Sequence, residues 1–355
     1  MAALTASRVK HLAQECGFEL AGIARAAPAA DFARYEAWLA AGFAGEMAYL
    51  ADHRATLRAD PQNLLASARS ILCVGKLYNT AEPYSNAAEL SGRGWISRYA
   101  WGDDYHDVLR SMLDRLVQRL REESSEPFES RICVDTAPLL ERSYAHLAGL
   151  GWIGKNACLI NERQGSWFLL GEVLLSCDLA PDAPPPDRCG TCTRCIDACP
   201  TQAIVPDDQG GFRLDARLCI SYFTIEKRGA IAEDQQAGLG NHVFGCDICQ
   251  DVCPWNRGAP ATDDSAFQPR SFAPPLEDLA ALTETGFRAQ FRHTPLWRTK
   301  YSGFLRNVAI AMGNSADVSF LPALEGLAQH ADPVVAASAQ QALERLRVGG
   351  IRREG

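Results

Sequence analysis

The sequence predicts a mixed α/β (α+β) chain in three parts. They are a layered α/β unit over residues 1–178, a cysteine-dense unit over 179–258 and, after a connector over 259–302, an α-helical hairpin of the HEAT type over 303–355. Three observations predict this. Strand-like and helix-like runs alternate through the first half, as in a layered sandwich. Eight of the thirteen cysteines crowd between Cys189 and Cys253, behind residues 180–186, which hold four prolines and have the composition of a linker. Two amphipathic runs, 303–312 and 332–346, close the chain through Leu321-Pro322-Ala323-Leu324, the pattern of one helical repeat too short for an independent solenoid.

In the first unit, apolar spacing predicts helices over 5–16 and 30–40 and strands over 18–23, 70–77, 131–134 and 167–175. The clearest helix covers 105–123. There Val108, Leu109, Met112, Leu113, Leu116, Val117 and Leu120 recur at i, i+3, i+4 before a Ser-Ser-Glu-Pro break. No G-x-G-x-x-G follows a strand, so a dinucleotide fold is not predicted. Residues 219–228 are expected to form a helix or turn over the cysteine unit.

That unit reads Cys189-Gly-Thr-Cys192-Thr-Arg-Cys195-Ile-Asp-Ala-Cys199-Pro200, then Cys219, then Cys246-Asp-Ile-Cys249-Gln-Asp-Val-Cys253-Pro254. The first run has the spacing by which bacterial ferredoxins hold a [4Fe-4S] cube and lend the fourth thiolate to a second cluster. The second run keeps both ends of that pattern and lacks one ligand, which Cys219 supplies. Cubes need soft thiolates converging from several directions, four for each cluster. Cross-lending then assigns Cys189, Cys192, Cys195 and Cys253 to one cluster and Cys199, Cys219, Cys246 and Cys249 to the other. A ferredoxin-like unit with two [4Fe-4S] clusters is expected. Structural zinc also uses C-x2-C pairs but without the x3-C-P tail, and a disulfide framework belongs to secreted chains. Cys16, Cys73, Cys133, Cys158 and Cys177 stand singly in apolar surroundings and are expected to be buried, reduced thiols.

The N-terminus carries no apolar signal core and no twin arginine, and no run approaches the roughly 20 apolar residues of a membrane span. A soluble, cytoplasmic chain with no membrane partner is expected. The net charge of −8 argues against general nucleic-acid binding, yet it is unevenly spread. From Gly286 onward there are nine Lys and Arg against five Asp and Glu, and residues 287–306 hold five cations and no acid. Arg288, Arg292, His293, Trp297, Arg298, Lys300, Tyr301 and Arg306 place cations among aromatics, a composition suited to phosphate contact and base stacking. A solvated charged face is the plain alternative.

Two clusters move electrons singly and break no bond in an organic substrate, so the α/β unit is expected to hold the acceptor. Asp135, at the end of strand 131–134 and before Thr136-Ala-Pro138, is the candidate acid, because strand ends in layered folds meet ligands. A helix N-cap is the competing account of the same residue.

Val134-Asp135-Thr-Ala-Pro138-Leu-Leu-Glu-Arg142-Ser143, Gly151-Trp152-Ile-Gly154-Lys155-Asn156, Gly165-Ser166-Trp167-Phe168-Leu-Leu-Gly171-Glu172, Arg98-Tyr99-Ala-Trp101 and the two cysteine runs together resemble the epoxyqueuosine reductases, over nearly the whole chain. The resemblance implies a cobalamin-binding layered domain and relatedness to the reductive dehalogenases. It implies an enzyme that removes the epoxide oxygen of epoxyqueuosine in the tRNA anticodon loop to give queuosine, with Asp135 as proton donor. That role requires a carboxyl kept protonated near neutral pH, so its pKa is expected to be raised by burial against the corrin and apolar residues. The resemblance also carries cobalamin contacts to Arg58, Asp135, Asn156, Ser221, Lys227, Cys246 and Asp247. It places His106 in the active-site wall rather than on cobalt, since Asp104-Tyr-His106-Asp-Val-Leu109 lacks the glycine of a D-x-H-x-x-G cobalamin motif. With His106, Arg292, Arg298 and Lys300 are the expected substrate contacts. A tRNA partner, an electron donor protein and a monomeric state are expected. A corrinoid reductive dehalogenase and a simple iron–sulfur electron carrier are the alternatives.

Overall fold

The computed structural model describes residues 4–88, 90–208 and 210–351, the side chains of 349–351 excepted. The outermost residues of the first and last expected units, 1–3 and 352–355, lie outside that set. Four strands, β1 (Leu20–Arg25), β2 (Ser70–Leu77), β3 (Ser130–Cys133) and β4 (Phe168–Leu175), form a sheet in the order β1-β2-β4-β3 with every pair antiparallel. Each lies within two residues of its expected span.

Strand alternation sends Leu72, Val74, Val173 and Leu175 to one face, where Val9 and Leu12 of helix α1 (Ala6–Glu15) and Leu109, Leu113, Leu116 and Leu120 of helix α2 (Tyr105–Glu123) cover them. Ile71, Cys73, Cys133 and Leu174 face the other way, onto Tyr144 and Ala145 of helix α3 (Glu141–Leu147). Each buried leucine of these layers contributes about 2 kcal/mol of transfer free energy. Gly22 is required in β1, because a Cβ there would lie 2.0 Å from the Ala148 carbonyl oxygen.

The passage from β2 to α2 is tied to the cysteine unit. Residues Trp95–Ile96 pair in parallel with His242–Phe244. Buried Arg98 donates to the carbonyls of Thr80, Glu82 and Pro83 at 2.9–3.2 Å and lies over the Trp101 ring at 4.4 Å. The carboxylate of Asp247 accepts from Trp95 Nε1 at 3.1 Å and Arg98 N–H at 2.8 Å.

Three terminal helices, α4 (Lys300–Asn314), α5 (Leu321–Leu327) and α6 (Pro333–Ile351), share one core with Trp95, Trp101, Val243 and Phe244. Leu276, Leu279, Phe287, Phe291 and Leu296, from the stretch between residues 259 and 302, are buried in the same core, on helices Leu276–Ala280 and Glu284–Phe291 and on the turn Pro295–Thr299. Among the described residues no helix is long and apolar enough to cross a membrane.

Candidate active site and cluster loops

The eight cysteines lie on turns and single-turn helices, Arg194–Asp197 and Ile248–Asp251 among them, short enough for their thiols to converge. Burial pushes the Cys195 thiol up to about 11, and the neighbouring Cys253, Cys189 and Cys192 add to that. Burial also pushes Cys246 up, with Cys219 and Cys199 among its charged neighbours. Cys249 is raised by a hydrogen bond with Cys158, by burial and by Cys246 and Cys219. Cys195 thus has Cys253, Cys189 and Cys192 as neighbours, and Cys246 has Cys219 and Cys199. Among the described residues no three His, Cys, Asp or Glu side chains converge as the ligands of one ion do; the thiolates of a cube instead each bind a different corner iron.

Cys158 departs from expectation. It is half-buried and bonded to Cys249 rather than isolated in the core, because Asn156 accepts from its N–H at 3.2 Å and donates to the Cys249 carbonyl at 3.3 Å. Cys16 and Cys177 are also only half-buried, whereas Cys73 and Cys133 are buried.

Asp135 stands at the end of β3 with φ of +44°, outside any helix, so it is not an N-cap; α3 begins after Leu140 with no side-chain cap. Its side chain is 52 % exposed and hence open to a ligand. His106 Nε2 lies 3.1 Å from the Asp135 carboxylate, and His106 Nδ1 lies 2.7 Å from the carboxylate of Asp104, the N-cap of α2. The Tyr105 hydroxyl bonds the same Asp135 carboxylate, and the Tyr105 ring stacks on His106 at 4.1 Å. Burial pushes the Asp135 pKa up, but the His106 bond and charge, Tyr105 and Arg298 outweigh it and leave the carboxyl below its ordinary value. The chain's own groups therefore do not raise the Asp135 pKa. The raised group is His106, pulled down by burial but carried to about 9 by its bonds to Asp104 and Asp135.

Arg298 is near enough for its charge to act on Asp135. It donates twice to Glu226 at 2.6 and 2.9 Å and lies over the Tyr49 ring at 5.2 Å. Glu226 ends a π-turn, Tyr222–Glu226, that follows Cys219 and Ser221, a distortion common at functional sites. Lys227 is ion-paired with Glu46. Arg58 is buried and its Nη1 has no partner among the described residues. The side chains of Asn156 and Asp247 are spent on the internal bonds described above.

Arg292 and Lys300 are exposed, and Lys300 Nζ lies 4.8 Å over the Trp297 ring, with Arg288 across it at 6.0 Å. This strip reaches the site, because the carbonyl of His293 accepts from Asp104 N–H at 3.1 Å. Arg306 does not belong to it. Its guanidinium is buried and donates to the carbonyls of Phe223, Lys227 and Gly229 at 2.6–2.9 Å, since a buried cation must spend its fork on acceptors.

Two family models match the chain, one described as epoxyqueuosine reductase QueG, DUF1730, over residues 58–136, the other as a 4Fe-4S double cluster binding domain over residues 188–256. The epoxyqueuosine reductase of Xanthomonas campestris pv. campestris is 43% identical over 314 residues, 87% of each chain. The chain belongs to the epoxyqueuosine reductase family. The Pseudomonas aeruginosa epoxyqueuosine reductase is 40% identical over 91% of this chain and 88% of its own, and that of Escherichia coli K12 is 38% identical over 90% and 84%. A crystal structure of epoxyqueuosine reductase with an epoxyqueuosine-modified tRNA-Tyr stem loop superposes with a TM-score of 0.86 at 29% identity, covering 96% of this chain and 89% of that one. A Bacillus subtilis epoxyqueuosine reductase, its aspartate-bearing catalytic loop swung out of the active site, matches equally well, with TM-score 0.86, 29% identity and coverage of 96% and 90%. The reductase is accordingly an oxidoreductase carrying a double [4Fe-4S] unit, and neither a dehalogenase nor a bare electron carrier.

Three features of the site were not expected: Glu226 and Tyr49 around Arg298, Cys158 beside Cys249, and a carboxyl pair, half-buried Glu141 and buried Glu172, behind Asp135. The last had a signal in the sequence, since a glutamate in the buried strand Trp167-Phe168-Leu-Leu-Gly171-Glu172-Val173 interrupts an apolar run.

Proposed function

We propose that this reductase converts epoxyqueuosine to queuosine in the anticodon loop of tRNA, with Asp135 and His106 handling the proton and a cobalamin seated between the layered unit and the loops of Cys219 and Cys246–Cys249. The observation that carries this is the Asp135–His106 pair, open to solvent and within reach of the Arg298 charge. Opening and deoxygenating an epoxide consumes two electrons and two protons and releases water, so an acid must stand at the oxygen as the carbon–oxygen bonds break. His106 stores one of the two protons as imidazolium and Asp135 relays it, while Asp104 fixes the ring and Tyr105 holds the carboxylate; the second proton comes from solvent as water leaves. When bound, cobalamin would supply a low-valent metal that delivers electrons to the substrate carbon.

The residues fit such a group in one respect, the orphaned Nη1 of Arg58, which suits a propionamide or phosphate oxygen. Ser221, Lys227 and the backbone of Asn156 and Cys246–Asp247 are the further contacts proposed. The eight cysteines fit two cubes in number and in softness. Arg292, Arg298 and Lys300 are proposed to receive the anticodon loop along the strip that ends at Asp104, as cations beside Trp297 suit phosphates and unstacked bases. The enzyme is proposed to act as a cytoplasmic monomer fed by an electron donor protein.

Anaerobic reconstitution with iron, sulfide and cobalamin, followed by reduction in the presence of an epoxyqueuosine stem loop, tests the proposal. A product lighter by one oxygen, formed only with cobalamin present, is expected. Turnover without any corrinoid would sink the cofactor assignment.

A further inference from the structure

We propose that Glu141 and Glu172 form a proton-sharing latch that holds the Asp135 turn in the active site. The proposal rests on Asp135 being the acid of the reaction.

Asp135 occupies the left-handed region at φ +44°, a conformation that costs a residue with a Cβ about 1 kcal/mol, so the turn must be held by something outside itself. Its backbone N–H donates to Glu141 Oε1 at 2.6 Å. Glu141 begins α3, and its carboxyl bonds in turn to that of Glu172 in the central strand β4. Glu172 is fully buried, with Cys73 of β2 and Cys133 of β3 directly across from it in the sheet. Apart from the Glu141 carboxyl, no N–H or O–H among the described residues donates to either Glu172 oxygen.

Two carboxylates in contact inside a protein do not both ionise, and a single shared proton satisfies both. The surroundings agree with that state. Burial pushes both acids up, with Asp135 adding to each; Glu141 reaches about 7 despite the pull of Arg142, and Glu172 goes further. Burial also keeps the facing thiols of Cys73 and Cys133 neutral, Cys133 at about 12, with Arg131 and Arg110 acting weakly against it. Glu141 thus keeps one oxygen aimed at Asp135 N–H while Glu172 anchors the other end of the carboxyl in the sheet. A carboxyl pair between a central strand and a helix serves packing poorly, since apolar side chains would fill that space at lower cost. Its use lies at the turn it supports, and the swung-out catalytic loop of the Bacillus subtilis relative illustrates that the equivalent loop of that protein has a second position.

Amide hydrogen exchange and kinetics on the anaerobic holoenzyme test the latch. Glu141→Ala should raise exchange over residues 133–139 by about tenfold or more, as expected on losing a charge-assisted hydrogen bond. It should also lower kcat about 100-fold, the usual effect of a displaced catalytic group, with KM for the stem loop unchanged. Glu141→Gln, which still presents an acceptor to Asp135 and a donor to Glu172, should restore both to within about threefold. Unchanged exchange in Glu141→Ala, or failure of Glu141→Gln to restore it, overturns the latch. If Glu141→Ala does not fold, infrared spectroscopy decides. A protonated-carboxyl band in the wild type that disappears in Glu172→Gln supports the shared proton, and its absence from the wild type refutes it. Retained turnover in Asp135→Asn alongside the expected exchange pattern would remove Asp135 as the acid and leave the latch standing.

Discussion

His106 bridges two carboxylates, its Nε2 3.1 Å from Asp135 and its Nδ1 2.7 Å from Asp104. An imidazole between two anions is held as imidazolium, and its partner carboxylate is held ionised. The proton shared within the site therefore rests on the ring, and in the proposed reaction Asp135 carries it the last step.

The pH dependence follows. His106 is raised above its ordinary value to about 9, so the protonated ring is the form the fold favours. Its contribution to stability is complete below an ordinary histidine pKa, about 6.5, and is lost as pH rises through about 9. Turnover should fall over the same interval, and His106→Gln should lose that limb along with about 100-fold in kcat, the range of a lost general acid. An unaltered alkaline limb in His106→Gln would point to another group.

Cluster assignment is checked by iron content. Cys219→Ala should reduce iron from about eight to about four per chain, since one cube loses a corner. Cys158→Ser should leave iron unchanged, because Cys158 touches Cys249 without belonging to either set of four. Iron loss in Cys158→Ser would make it a ligand.

Binding to the stem loop should weaken in Arg292→Ala/Arg298→Ala, and the slope of affinity against salt should flatten by about one to two phosphate equivalents. Arg306→Ala should behave otherwise. It leaves the carbonyls of Phe223, Lys227 and Gly229 without their donor, at a cost of about 3 kcal/mol. The melting temperature should drop while the salt slope stays the same.

Much of this architecture was legible beforehand, and the limits have physical causes. The helix over 105–123 was read to its ends because seven apolar residues repeat at 3.6 spacing ahead of a Ser-Ser-Glu-Pro break. The double-cluster unit over residues 188–256 was legible because thiolate chemistry fixes the spacing of its cysteines. Arg306 was misassigned because a sequence cannot distinguish an arginine that meets solvent from one that meets three carbonyls. The pull of His106 on the Asp135 carboxyl was missed for a related reason. The upward push of desolvation was foreseen, but His106 lies 29 positions away in the chain, and only the fold brings them together. The stretch between 259 and 302 looked like a connector from its prolines and acids, yet Leu276, Phe287 and Phe291 bury their side chains in the terminal core.

The most direct measurement is single-turnover reduction of an epoxyqueuosine stem loop by Asp135→Asn beside the wild type, both reconstituted anaerobically, with iron and cobalamin quantified in the same samples. The account predicts full loading of both cofactors and a rate at least about 100-fold lower in the variant. Full loading with wild-type turnover would contradict it.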